Sequence, residues 1–69
     1  MKARELNSKI ESLGGENLRQ KGSHRFYSAT VNGVTATTIV PQHSGDIPKG
    51  LLSKIQRDLE AAFGKGWLK

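Results

Sequence analysis

The chain of 69 residues contains no cysteine, only two prolines and few aromatic residues. Without cysteine it has neither a disulfide framework nor a thiolate metal site, and we expect a cytoplasmic protein from a reducing compartment. The two histidines and six carboxylates follow no zinc or calcium spacing, which predicts no metal and no other cofactor. No apolar run approaches the ~20 residues of a membrane span, and the N-terminal stretch lacks the apolar region of a signal peptide.

Acidic residues are also scarce: the chain has six Asp and Glu against eleven Lys and Arg, which gives a net charge of +5. At this length we expect one domain over residues 1–69, with a small core that is open on at least one side. Such a core leaves no room for an enclosed active site. The excess of positive charge favours nucleic acid as the partner over an anionic membrane surface, or else it serves only solubility.

Helical periodicity is present at both ends of the chain. Leu6, Ile10 and Leu13 share one helical face, and the glycines that follow end this helix. Near the C-terminus a second helix begins after Asp46, which we expect to cap it, and ends at Gly64. The apolar positions of the second helix repeat at three- and four-residue steps: Leu51, Leu52, Ile55, Leu59, Ala62 and Phe63. The apolar pair Trp67 and Leu68 follows without an assigned position.

Between the helices the period changes to two, which predicts three antiparallel strands joined by two tight turns. Asn32-Gly33 is a strong signal for a two-residue turn that pairs Val31 with Val34. A turn at Gly22-Ser23 pairs Lys21 with His24 and puts Leu18 opposite Tyr27 on the core side. The sequence therefore predicts an α+β domain in the order α-β-β-β-α, with both helices on one face of the sheet.

Side-chain alternation then divides the strand residues between the two faces of the sheet. Tyr27 and its neighbours at every second position are mostly apolar and are expected to meet the helices. The opposite face is rich in hydroxyl groups and is expected to stay open to water. This open face carries Arg19, Lys21, His24 and Phe26.

His24 is the candidate catalytic residue of the open face. An imidazole can move a proton near neutral pH, which suits general acid–base cleavage of RNA. Arg19 and Lys21 beside it can neutralise the phosphate that reacts. The alternative interpretation is that His24 is an exposed polar residue without a chemical role.

Other residues near His24 also leave alternatives open. Phe26 can stack an unpaired base, or it can simply pack against Ile39 on the next strand. Arg25 can bind a backbone phosphate at the rim, or it can only lay its aliphatic part along the sheet. His43 is either a second acid–base group or a loop residue, and we favour the loop residue.

Three segments together resemble the HicA-type toxin family: RQKGSH at 19–24, PQH at 41–43 and IPKG at 47–50. The resemblance implies a fold like that of double-stranded-RNA-binding domains. It also implies that the chain is the toxin of a type II toxin–antitoxin pair. Such a toxin cleaves mRNA without a metal ion and is neutralised by a HicB-like antitoxin. In that family the histidine of the G-S-H element is catalytic, which here is His24. The residues expected to contact RNA are Arg19, Lys21, Ser23, Arg25 and Phe26.

Two other functions are compatible with the same residues. The main alternative is a non-catalytic RNA-binding module with a fold like that of double-stranded-RNA-binding domains. The second is a protein-interaction domain whose charge serves only solubility. The three functions differ in whether RNA is cleaved, only bound in a salt-dependent way, or not bound.

Overall fold

A computed structural model describes residues 1–68 as two helices and three strands. In chain order the elements are α1 (Ala3–Ser12), β1 (Gly15–Lys21), β2 (His24–Val31), β3 (Val34–Pro41) and α2 (Lys49–Phe63). The strands form one antiparallel sheet in the order β1-β2-β3, so the predicted α-β-β-β-α order is confirmed. Within the described residues no helix is long and apolar enough to cross a membrane.

The helices bury one face of the sheet and leave the other face exposed. Along β3, Ala36, Thr38 and Val40 are buried, whereas the residues between them are exposed, as period-two alternation requires. The side chains that are buried most completely come from both helices and the two longer strands: Leu6, Ile10, Tyr27, Val40, Ile55 and Leu59. The hydrophobic core therefore lies between the helices and one face of the sheet, and the other face remains free for a ligand.

The pairing of β2 with β3 follows the predicted register along its whole length. Val31 lies opposite Val34, and Arg25 lies opposite Val40. Asn32 and Gly33 have φ values of 52° and 80°, and a two-residue hairpin turn with positive φ at both positions matches the twist of the strands. The local turn chemistry therefore determines which residues of β2 and β3 share a face.

The pairing of β1 with β2 departs from the prediction at Leu18. The pairs near the turn are as predicted, but the register shifts between Asn17 and Arg19, and Asn17 lies opposite Tyr27. Leu18 is the extra residue of this β-bulge, and the residue is 56% exposed. The prediction that Leu18 faces the core is wrong because the bulge changes the alternation, which also keeps Glu16 away from the buried face.

The glycines after Leu13 do end α1, with a φ of 104° at Gly14, but the prediction that Leu13 shares the buried face of Leu6 and Ile10 is wrong. The helix ends at Ser12, so Leu13 no longer continues the apolar stripe, and it is 39% exposed. Asn7 is buried instead, and its amide exchanges two hydrogen bonds with the amide of Gln42. A polar side chain can be buried there because both groups have partners.

Asp46 does not cap α2 as predicted. Pro48 occupies the cap position instead, and its side chain has no group that could cap the helix. The Asp46 carboxylate lies 3.8 Å from both the N-terminal ammonium of Met1 and the Lys2 Nζ, and Ile47 donates its N–H to the Met1 carbonyl at 2.9 Å. The segment before α2 is therefore tied to the N-terminus of the chain.

The apolar pair after α2, Trp67 and Leu68, folds back onto that helix. Trp67 is buried, and its indole N–H donates to the carbonyl of Gln56 at 2.8 Å. Its ring and that of Phe63 pack in a T-shaped arrangement, with a centroid distance of 5.2 Å. Lys69, the last residue of the tail, lies outside the described residues.

Tyr27 joins the sheet to α1 through a partly buried polar contact at the edge of the core. Its side chain is buried, and its hydroxyl donates to Glu11 Oε2 at 2.6 Å. Arg25 Nη1 donates to the same hydroxyl oxygen at 3.4 Å. Burial and the hydrogen bond to Glu11 raise the pKa of Tyr27, and the Arg25 guanidinium opposes them.

This raised pKa predicts a loss of stability at alkaline pH. Tyr27 holds its proton more tightly in the folded chain, so its contribution to the free energy of unfolding is complete below pH ~10 and is lost as the pH rises through the folded-state pKa. Urea denaturation at pH 8 and pH 11 should show that the stability advantage of wild type over Tyr27→Phe shrinks at the higher pH. An unchanged advantage would contradict the prediction. Because Tyr27 is the single tyrosine, tyrosinate absorbance reports its titration directly.

Candidate functional site

His24 is the first residue of β2 and lies exposed on the open face of the sheet. Its neighbours across the strands are Lys21 on β1 and Pro41 on β3. The turn that precedes it has a φ of 59° at Gly22, a left-handed conformation that glycine adopts without strain. Ser23 is half-buried, and its carbonyl accepts the N–H of Gln42, so the start of the next loop stays beside the turn.

A depression of about 430 Å³ opens beside His24. Three of the side chains that line it have ionisable nitrogen groups, namely His24, His43 and Lys54. Its apolar walls are Ile39, Pro41, Pro48 and Leu51. We call this site the two-histidine depression. It brings together residues from β2, β3, the loop after β3 and α2, which are far apart in the sequence.

Lys54 is a residue of this site that the sequence pattern does not single out. It lies on α2 among side chains of mixed charge, which is typical of a solvated helix face. In the structure its Nζ lies 2.9 Å from Asp58 Oδ2, and the same carboxylate oxygen accepts the hydroxyl of Thr38 at 2.9 Å. Asp58 therefore anchors Lys54 to the edge of β3, while the lysine side chain stays 62% exposed.

Phe26 lies at the centre of the open face, between Arg19 on β1 and Ile39 on β3. The Arg19 Cζ is 4.5 Å from the centroid of the Phe26 ring, a cation–π contact. Exposed Leu18 and Ile39 lie beside the pair and line the same shallow groove. The groove therefore presents a flat guanidinium and an aromatic ring, with apolar side chains around them.

Arg25 is separated from the other predicted RNA-binding residues. It follows His24 in β2, so its side chain points to the opposite face of the sheet. There its Nε donates to Gln20 Oε1 at 3.0 Å, and its Nη1 contacts Tyr27. The guanidinium of Arg25 supports the contact between the sheet and α1, and the prediction that it binds RNA stays a prediction.

The charge of the open face is mostly positive. Within residues 1–68 no carboxylate lies within ion-pairing distance of Arg19 or Lys21, so both cations are available to an anionic ligand. Across the same described residues, no group of three His, Asp or Glu side chains is placed to hold a metal ion. The face can therefore bind phosphate through cations and move a proton through an imidazole.

Comparison with known proteins identifies a family. No curated protein and no solved structure matches the chain significantly. A family model described as the HicA toxin of bacterial toxin–antitoxin matches residues 3–62 and so covers all five elements except the last residue of α2. The resemblance carried by the segments around His24, His43 and Pro48 is thereby confirmed. The chain belongs to the HicA toxin family of bacterial toxin–antitoxin systems.

Proposed function

We propose that this toxin is an endoribonuclease that cleaves mRNA, with His24 as a general base or general acid. The observation that carries the proposal is the position of His24, which is exposed on the open face between Lys21 and the two-histidine depression. The imidazole moves the proton in the reaction, and neighbouring cations stabilise the charge that grows on the phosphate. These proton transfers need no metal ion. Because mRNA is translated in the cytoplasm, the proposal puts the toxin there.

The RNA strand lies along the open face in this proposal. Lys21 and Arg19 hold the backbone phosphates near His24, and Ser23 contributes hydrogen-bonding groups at the turn. An unpaired base stacks on the Arg19 guanidinium, which lies over the Phe26 ring and is oriented by that contact. Single-stranded RNA fits this surface because bases on a flat sheet face must be unstacked to reach an aromatic ring.

Lys54 provides a further cation for the phosphate in the two-histidine depression. We expect Lys54→Ala to weaken RNA binding and to reduce the slope of log K against log salt by about 0.7, the value for one lost contact on a single strand. Arg57→Ala is the matched control, because Arg57 is exposed on the same helix but does not line the depression. Both variants are measured in a His24→Ala background, so that the RNA stays intact. Equal slopes for the two would contradict the assignment.

The partner that neutralises the toxin is a HicB-like antitoxin that covers the open face. Exposed Leu18 and Ile39 beside the cations Arg19 and Lys21 support this proposal. A protein with apolar and acidic side chains can bind both features at once, and it then competes directly with RNA.

Expression of wild type and His24→Ala in the same bacterial host tests the proposed function. Growth arrest with fragmented mRNA from wild type alone, relieved by a HicB-like protein encoded beside the toxin gene, is the expected result. Salt-dependent RNA binding by both proteins without any cleavage would instead support the RNA-binding module. An absence of RNA binding would leave the protein-interaction domain as the remaining function.

A further inference from the structure

A second imidazole lines the depression that holds His24. His43 lies two residues after the end of β3, and the last residue of that strand, Pro41, is the cross-strand partner of His24. The two histidines are the only ones in the chain, and both line this one depression. Since His43 is exposed there, its ring nitrogens are accessible to a ligand that contacts His24.

The backbone beside His43 is held by several hydrogen bonds. The neighbouring Gln42 donates its backbone N–H to the carbonyl of Ser23 in the turn before His24. The Gln42 side chain accepts from Asn7 Nδ2 at 2.7 Å, and its own amide donates to Asn7 Oδ1 at 3.2 Å and to the Val40 carbonyl at 3.0 Å. These contacts tie the loop both to α1 and to the turn of His24. The position of His43 relative to His24 is thus set by residues from three separate elements.

RNA cleavage through the 2′-hydroxyl requires two proton transfers. A base takes the proton of the 2′-hydroxyl, the 2′-oxygen forms a bond to phosphorus, and the bond from phosphorus to the 5′-oxygen breaks. The leaving 5′-oxygen takes a proton from an acid, so the products are a 2′,3′-cyclic phosphate and a 5′-hydroxyl. One imidazole ends protonated and the other ends neutral, so charge balances and no co-reactant is consumed. A single histidine supplies only one of these transfers at a time.

We propose that His43 is the second proton-transfer group of this site, so that His24 and His43 divide the two transfers between them. The inference rests on the proposed nuclease function and adds a catalytic residue to it. The scissile phosphate lies in the two-histidine depression, between the rings and beside Lys54. The charged groups that face the pair are Lys21 from β1 and Lys54 from α2, and Asp58 reaches the site only through Lys54. Both direct neighbours are cations, which stabilise the phosphate charge during the transfer.

The experiment uses an oligoribonucleotide that wild type cleaves at one position, together with a copy that has sulfur in place of the bridging 5′-oxygen there. A thiolate leaves without a proton because thiols are far stronger acids than alcohols. A variant that lacks the general acid therefore recovers its rate on the sulfur substrate, whereas a variant that lacks the general base does not. The variants are His24→Gln and His43→Gln, with Ser44→Ala as an exposed control from the same loop.

We expect both glutamine variants to cleave the oxygen substrate about 100-fold more slowly or worse. One of the two, and only one, recovers close to the wild-type rate on the sulfur substrate, and Ser44→Ala matches wild type on both. Recovery also demonstrates that the recovered variant is folded.

Three results overturn the assignment of His43. They are a wild-type rate for His43→Gln on the oxygen substrate, recovery of neither variant, and recovery of both. Failure of the nuclease proposal gives different results, since wild type would then cleave neither substrate or His24→Gln would cleave the oxygen substrate as fast as wild type.

Discussion

Substitution of His24 by Ala is expected to reduce the rate of RNA cleavage by about 10²–10⁴-fold, the range that one general acid–base group contributes. The loss is expected in the chemical step, because the cations Arg19, Lys21 and Lys54, which we propose to hold the phosphate, remain. RNA affinity should therefore change little, and the salt dependence of binding should be retained. Single-turnover cleavage by the purified protein, with binding measured on RNA that carries a 2′-deoxy sugar at the cleaved position, separates the two quantities.

Thr30→Ala is the matched control for His24→Ala. Thr30 is also exposed on the open face of β2, but it lies at the far end of the strand, paired with Thr35. Among residues 1–68 its side chain hydrogen-bonds the Thr35 hydroxyl alone, at 2.8 Å, so its loss should leave the cleavage rate unchanged. A similar rate for wild type and His24→Ala, or an equal loss in both variants, would rule out a catalytic role for His24.

Gly15→Ala is expected to lower the free energy of unfolding by about 3 kcal/mol, the upper part of the usual range for overpacking a core. A Cβ at Gly15 would overlap Ile10 Cγ2 and lie 2.8 Å from the Ile10 carbonyl oxygen. Ile10 is fully buried, and its carbonyl belongs to α1, so neither atom can move away freely. A domain of this size has roughly 4–10 kcal/mol of stability at about 0.05–0.15 kcal/mol per residue, so the loss is large.

Thermal unfolding measures this effect, and Gly50→Ala is its matched control. We expect the midpoint of Gly15→Ala to fall by about 10–20 °C, given the usual shift per kcal/mol for a small domain. Gly50 lies in α2, and a Cβ there would meet nothing within 4 Å, so the same substitution should stabilise the helix by about 0.5 kcal/mol. Equal midpoints for the two variants would contradict the packing argument.

The pairing of β2 with β3 could be predicted from local sequence because a short turn leaves few registers possible. Asn32 and Gly33 both tolerate positive φ, which sets the turn, and the period-two pattern then assigns each side chain to a face. The open face of β2 followed from this step, and with it the exposure of His24. The family resemblance supplied the proposed role of His24 independently of the register.

The bulge at Leu18 could not be read from the same pattern. A bulge leaves one residue unpaired in the strand ladder, and neither a turn residue nor a break in the period-two pattern marks it at Leu18. Without the shift Glu16 would lie opposite Ala29 on the buried face, whereas in the structure Gly15 lies there, against Ile10. Asp46 is a comparable case, since its partners Met1 and Lys2 are distant in sequence and compete with the helix cap.

The placement of Lys54 and His43 in the site depends on contacts between distant parts of the chain, which the sequence does not reveal. Sequence spacing gives Lys54 only a helical face and an i,i+4 partner in Asp58, which is typical of a solvated surface. The contact of Asp58 with Thr38 directs Lys54 to the edge of the sheet, and the bonds of Gln42 with Asn7 hold His43 beside it. Neither contact leaves a periodic signal in the sequence.

The scarcity of acids, the absence of cysteine and the local turn chemistry are properties of the chain itself. They were enough to predict a small α-β-β-β-α domain with His24, Arg19 and Lys21 on a basic, open sheet face, because turns and alternation act over a few residues. The two-histidine depression required the folded chain, since β2, the loop after β3 and α2 approach one another only when the core of Ile55, Leu59 and Val40 forms. Packing between distant elements assembled the site, and local sequence determined the face on which it lies.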